Sequence, residues 1–99
     1  PPATLTDRFE RIETTNGFVT LGDADAELFN FSGTPDRVEL AVELNDAIIT
    51  FRSRGKSDDE EVTLRAGQRF ETGLAVDAIL ARNATAGLNA RVQVIGLWA

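Results

Sequence analysis

The sequence predicts an all-β chain folded as a compact antiparallel β-sandwich of about eight short strands, with a jelly roll favoured and a small barrel as the alternative. Three observations predict it. Apolar residues recur at every second position in several runs, whereas helical spacing is scarce. Turn-forming residues separate the runs: Asn16-Gly17, Gly22-Asp23, Ser32-Gly33-Thr34-Pro35, Asn45-Asp46 and Arg65-Ala66-Gly67. The 99 residues, 42% hydrophobic and 26% charged, suffice for one core and are too few for two domains.

Taken in order, residues 1–7 open on Pro1-Pro2, which favours an extended arm without internal hydrogen bonds, and residues 8–99 form the single sandwich domain. Short strands are expected at 8–13, 17–21 and 28–31, with 23–27 as a link or one helical turn capped by Asp23. The clearest run is 38–44, where Val38, Leu40, Val42 and Leu44 share one face and Glu39, Ala41 and Glu43 the other. Asn45-Asp46 then suits a two-residue hairpin turn into 47–53. That register would set Val42 beside Ile49, Leu40 beside Phe51 and Glu39 beside Arg52, and leave Ile48 on the polar face opposite Glu43.

A further short strand is expected at 61–64, followed by strand, loop and strand at 74–82, 83–89 and 90–98. Leu74, Val76, Ala78 and Leu80 share a face, as do Val92, Val94, Gly96 and Trp98. The opposite faces are only half polar: beside Asp77, Arg91 and Gln93 they carry Ile79, Ile95 and Leu97.

Charge and missing residue types narrow the chemistry. A formal charge of −6 makes nucleic acid and anionic membrane poor partners. The one basic cluster, Arg52, Arg54 and Lys56, adjoins Asp58, Asp59, Glu60 and Glu61 and reads as a solvated zwitterionic loop. No run approaches the ~20 apolar residues of a membrane helix, and the opening residues lack a signal peptide's basic and apolar regions, so cytoplasmic synthesis is expected. With no cysteine or histidine, acyl transfer by Ser-His-Asp or Cys-His, His/Cys metal sites and a disulfide framework are all unavailable.

The remaining polar groups point to structure. Ser32, Ser53 and Ser57 fall in turns or strand ends, where serine bonds the local backbone. Paired carboxylates need a sugar-sized cleft, which a domain this small seldom has, and Asp77 is expected to face solvent or a partner. Calcium has two candidate sites, Asp23 with Asp25 and Glu27, and the run 58–61, but the first lacks an EF-hand's glycine and distal glutamate and the second reads as a charged edge guard. The glycines form no phosphate loop, Asn83-Ala84-Thr85 is too short a glycosylation pattern to carry weight, and the aromatics belong in the core. No catalytic, cofactor-binding or metal-binding residue is assigned.

What remains is an apolar excess. Ile48, Ile79, Ile95 and Leu97 lie on faces that alternation marks as outward, and with Leu5 of the arm they are the candidate interface residues. The alternatives are that the second sheet covers them, or that the register of the C-terminal half is different.

The segments Val62-Thr63-Leu64-Arg65-Ala66-Gly67, Phe70, Ala81-Arg82-Asn83-Ala84-Thr85-Ala86-Gly87 and Val92-Gln93-Val94-Ile95-Gly96-Leu97-Trp98 resemble small structural proteins of tailed bacteriophage virions, especially β-sandwich cement or decoration proteins of the capsid exterior. The resemblance covers residues 61–99 and is one of strand and turn style, with no catalytic signature. It implies a non-enzymatic subunit without a cofactor that bridges neighbouring capsomers on the virion surface after synthesis in the host cytoplasm. Its partners would be the major capsid protein and other copies of itself, a trimer being favoured. The five interface candidates match no functional residue of that family. A tail or baseplate component is one alternative reading, and a carbohydrate- or ligand-binding β-sandwich is another.

Overall fold

The computed structural model describes residues 10–53, 60–73 and 76–99. The 1–7 arm with Leu5, and Arg54, Lys56, Ser57, Asp58 and Asp59 of the charged run, lie outside the described residues. The described residues form nine strands and no helix: β1 (Arg11–Thr14), β2 (Val19–Thr20), β3 (Ala26–Asn30), β4 (Arg37–Glu43), β5 (Ala47–Arg52), β6 (Glu60–Leu64), β7 (Arg69–Thr72), β8 (Ala78–Asn83) and β9 (Arg91–Trp98).

The strands make two antiparallel sheets, one ordered β1-β9-β4-β7 with β2 also on β9, the other β3-β8-β5-β6. The chain changes sheet at every link from β2 to β5 and again from β6 to β9, which is the jelly-roll order within the expected β-sandwich. β1 and β2 pair along the same side of β9. Between them the backbone takes left-handed angles at Asn16 (φ 57°) and Gly17 (φ 114°), so this edge is broken into two short pieces that offer little template for strand addition.

Three expectations about strands and turns are corrected. Asn45-Asp46 closes no hairpin: β4 and β5 belong to different sheets, with Val42 beside Val92, and Ile49 beside Val62 and Ala81. The left-handed residue is Leu44 (φ 73°), and the chain turns a corner between sheets there. Val38, Leu40 and Val42 face the core as their alternation predicts, but Leu44 is exposed, and Glu39 stands opposite Ile95 and Glu71, not Arg52. Secondly, β7 is a strand that alternation did not reveal, because Arg69-Phe70-Glu71-Thr72 holds a single large apolar residue. Thirdly, of the two readings offered for 23–27 the link holds and the helical turn does not: residues 23–25 bend into β3, which starts at Ala26.

The core fills the space between the sheets. From the first sheet come Val38, Leu40, Val42, Val92 and Val94; from the second come Ala47, Ile49, Phe51, Leu64, Ile79 and Ala81. Phe51 reaches across to Phe70 of the other sheet, ring centroids 5.6 Å apart. At the opposite end Phe31 packs edge-on against Phe29 (4.8 Å) and Trp98 (6.0 Å). Phe31 lies so close to β9 that a β-carbon on Gly96 would stand 2.5 Å from its ring, which leaves room for glycine alone.

Ile79 belongs to this core at 0% exposure, and its expected outward placement is wrong. The inward set changes parity between Val76 and Ile79: both are buried, three positions apart, because residues 76–77 are still a connection and β8 begins at Ala78. Leu80 and Arg82 consequently face outward, and Ala81 and Asn83 face in.

Candidate interaction face

Directly opposed residues of an antiparallel pair share a face, so the register lays out the outward side of the first sheet row by row. The first row is Ile12, Leu97 and Arg37, and the second is Thr14, Ile95, Glu39 and Glu71. Gln93, Ala41 and Arg69 follow, then Thr20, Arg91 and Glu43. Ile12 is 59% exposed, and Leu97 and Ile95 are half-buried. They form a contiguous apolar corner bordered by charge.

Arg91 pairs with Glu43 at 2.8 Å and Arg37 approaches Glu71 at 3.9 Å. Exposed pairs of this kind are worth roughly 0–1 kcal/mol, so they shape the rim of the face more than they stabilise the fold. In the middle rows the small side chain of Ala41 leaves a hollow of about 370 Å³, bounded by Ile95, Gln93, Arg69, Glu39 and Glu71.

The outward side of the second sheet is different. Ile48 is half-buried between Thr63 and Arg82, and Arg82 spans Asp25 (3.0 Å) and Glu61 (3.3 Å). Those two carboxylates raise the guanidinium's pKa above its ordinary value. Next along β5, Thr50 is only 5% exposed, and among the described residues its hydroxyl has no hydrogen-bond partner.

The β2–β3, β4–β5, β6–β7 and β8–β9 links gather at one end of the sandwich, and polar side chains tie them together. Asn83, 4% exposed, donates through Nδ2 to Asp23 Oδ1 (2.9 Å) and Asn89 Oδ1 (3.0 Å), and its Oδ1 accepts from the Ala90 amide (2.9 Å). Asp23 also accepts from the Gly87 amide, and these two donors, Asn83 first, hold its carboxyl below the ordinary carboxylate range. Asp46 Oδ1 accepts from the Ala66 amide, and Asn45 Nδ2 donates to the Asn89 carbonyl. Two large apolar side chains project from this tied end, Leu44 at 66% and Leu88 at 51% exposure.

At the other end β1 is clamped to the β3–β4 link. Arg11 lies 3.9 Å over the Trp98 ring and donates to the Ser32 carbonyl at 2.8 Å. Ser32 lies in the expected bend after β3, but it donates from both its hydroxyl and its amide to Glu13 of β1, a long-range contact in place of the expected bond to the local backbone. These bonds, reinforced by Arg11, keep the Glu13 carboxyl below its ordinary range.

Of the interface candidates, Ile95 and Leu97 are brought together on one outward face, and Ile48 stands on the opposite side of the sandwich. Ile79 is internal, and Leu5 is outside the described residues. Ile12, Leu44 and Leu88 are the exposed apolar residues that sequence reasoning missed. Ile12 is legible in hindsight as a lone isoleucine between Arg11 and Glu13, but Leu44 continued an inward alternation and Leu88 sat in a loop of small residues. The acidic residues serve other ends: Asp23 binds Asn83, Asp25 pairs with Arg82, and Asp77 accepts from the Thr34 hydroxyl at 2.6 Å. Among the described residues no three such side chains converge as metal ligands.

No protein-family model matches the chain, and no curated protein matches it. Its fold is similar to that of the Drosophila melanogaster CENP-C cupin domain, at a TM-score of 0.53 and 12% identity over 81% of this chain. The chain spans 57% of that structure's length. It is also similar to a Bacillus endospore appendage protein whose family forms disulfide-linked pili, at a TM-score of 0.56 and 12% identity, covering 90% of this chain and 87% of that one. Likeness at this identity establishes a shared β-sandwich fold.

Proposed function

We propose that the chain is a non-enzymatic structural subunit that assembles with other copies through the outward face of its first sheet. The observation that carries this reading is the Ile12, Leu97 and Ile95 corner on a face that alternation would otherwise leave to charge. Covering apolar surface is favourable by about 25 cal/mol per Å². A partner seated on the corner therefore gains from a surface that does nothing for the isolated protomer.

Two further features support a building block. The tied loop end and the clamped β1 edge are rigid surfaces, which lowers the ordering cost of association. The fold likeness to a pilus-forming endospore appendage points the same way, with one chemical difference: these 99 residues contain no cysteine, so joints made by them are not disulfides. Repetition over a lattice or filament strengthens modest contacts by avidity. A finer reading, resting on the sequence resemblance across residues 61–99, is a bacteriophage capsid cement or decoration subunit that bridges capsomers.

Sedimentation velocity over a range of protein concentrations tests the reading. Wild-type chain is expected to form species larger than the protomer, and Ile95→Asp to lose them while melting at the same temperature. A protomer that stays single at every concentration contradicts self-assembly, and a cryo-EM map of purified virions without density for the chain contradicts the capsid assignment.

A further inference from the structure

We propose that the loop end of one protomer docks as a knob into the outward hollow of the next, with Leu44 as the inserted side chain and Arg65 set against Glu39. This rests on the self-assembly reading and specifies which surfaces meet.

Leu44 is the first observation. Its φ of 73° is a conformation in which a leucine β-carbon is crowded and which glycine or asparagine would take more readily. Its side chain is 66% exposed, so the strained backbone presents it mainly to solvent and places it outside the core. Leu88, 51% exposed, lines the same small surface depression together with Leu44, Ala66 and Thr85. The two leucines are presented rigidly, because Asn45 is bonded to Asn89, and Asp46 to both Ala66 and Ala84. A preorganised apolar tip loses little freedom on docking.

The second observation is the hollow around Ala41. At about 370 Å³ it is within the size range of sites that hold whole small molecules, ample for an aliphatic side chain. Ala41 at its floor and Ile95 at its side give the hollow an apolar portion among the polar and charged Gln93, Arg69, Glu39 and Glu71, a mixture suited to an aliphatic anchor with a charged neighbour. Ile95 also belongs to the Ile12 and Leu97 corner, so a knob seated here extends over that corner.

Charge decides the occupant. Glu39 and Glu71 are directly opposed on neighbouring strands, an unfavourable pairing within the protomer. Arg37 approaches Glu71, whereas among the described residues Glu39 forms no ion pair. The knob carries the exposed Arg65 immediately before Ala66, a cation suited to that carboxylate. A second copy of this chain thus supplies the apolar side chain and the charge together. Because knob and socket are different surfaces, the contact is heterologous, and it either closes into a ring or runs on as a filament.

Complementation by native mass spectrometry tests this. Leu44→Gly removes the knob in a conformation glycine accepts, and Ala41→Lys fills the socket with a side chain that pairs with Glu39. Each variant alone is expected to raise the concentration needed for assembly by about tenfold or more, with melting temperature retained. Mixed in equal amounts, they are expected to give a heterodimer that grows no further, since one intact knob meets one intact socket. If wild-type assembles and both variants assemble equally well, the knob and socket are overturned while self-assembly stands. Variants that are monomeric alone and also when mixed overturn the heterologous pairing. A monomeric wild-type overturns both proposals.

Discussion

Ile12 stands directly opposite Leu97 on the outward face of the first sheet, and neither side chain is covered by the protomer's own second sheet. Replacing Ile12 with Asp should therefore weaken association while changing folding stability by no more than about 0.5 kcal/mol. Ile79→Ala should do the reverse, costing about 2–5 kcal/mol by opening a cavity in the core. Urea denaturation beside sedimentation separates the two effects, and equal losses of folding and assembly for Ile12→Asp would place that residue inside.

Gly96→Ala should destabilise the fold by about 1–3 kcal/mol, the range for overpacking a filled core. The new methyl would meet the Phe31 ring at 2.5 Å, and Phe31 is held in turn by Phe29 and Trp98. The denaturation midpoint gives the cost; an unchanged midpoint would mean that Phe31 is free to move aside.

Asn83→Ala should cost about 1–3 kcal/mol or more, since it strands a buried amide on Ala90 and removes donors to Asp23 and Asn89. Hydrogen exchange of the Ala90 and Gly87 amides should accelerate in the variant. Protection equal to wild-type would show that the loop end is held by other bonds.

Thr50→Val should leave stability unchanged or raise it by about 1 kcal/mol, because the hydroxyl it replaces is buried without a partner among the described residues. Loss of stability on thermal melting would reveal that the hydroxyl is bonded.

Stability should fall on acidification. Glu13 and Asp23 both have folded-state pKa values below their ordinary ones, held there by Ser32 and by Asn83 with Gly87. Their contributions are complete above unfolded carboxylate values of about 4 and disappear as pH drops through the lower folded values. Denaturation midpoints at several pH values should therefore be level from neutrality to about pH 5 and decline below pH 4. In Glu13→Gln with Asp23→Asn that decline should be shallower, and an identical decline would assign the acid sensitivity to other carboxylates.

Much of the fold was legible because one physical rule, a wet face against a dry one, governs strands such as β4, where Val38, Leu40 and Val42 point inward. The pairing of strands was not legible. A short turn such as Asn45-Asp46 serves a hairpin or a corner between sheets equally well, and what distinguishes them is the non-local fit of β4 to β7 and β9. Ile79 is misplaced by alternation for a related reason: the count through Val76, Ala78 and Leu80 crosses residues 76–77, which are a connection, and parity is lost wherever the chain leaves the extended pleat. Ile95 and Leu97 were readable as outward because β9 is continuous, whereas Leu44 and Leu88 are exposed through corner and loop geometry that carries no period.

Sedimentation velocity of wild-type chain beside Ile12→Asp, at matched concentrations and with both shown to be folded, tests the central claim most directly. Concentration-dependent growth in the wild-type and a lone protomer in the variant is the predicted result. Identical sedimentation of the two, whether both are single or both assembled, would contradict an assembly built on this face.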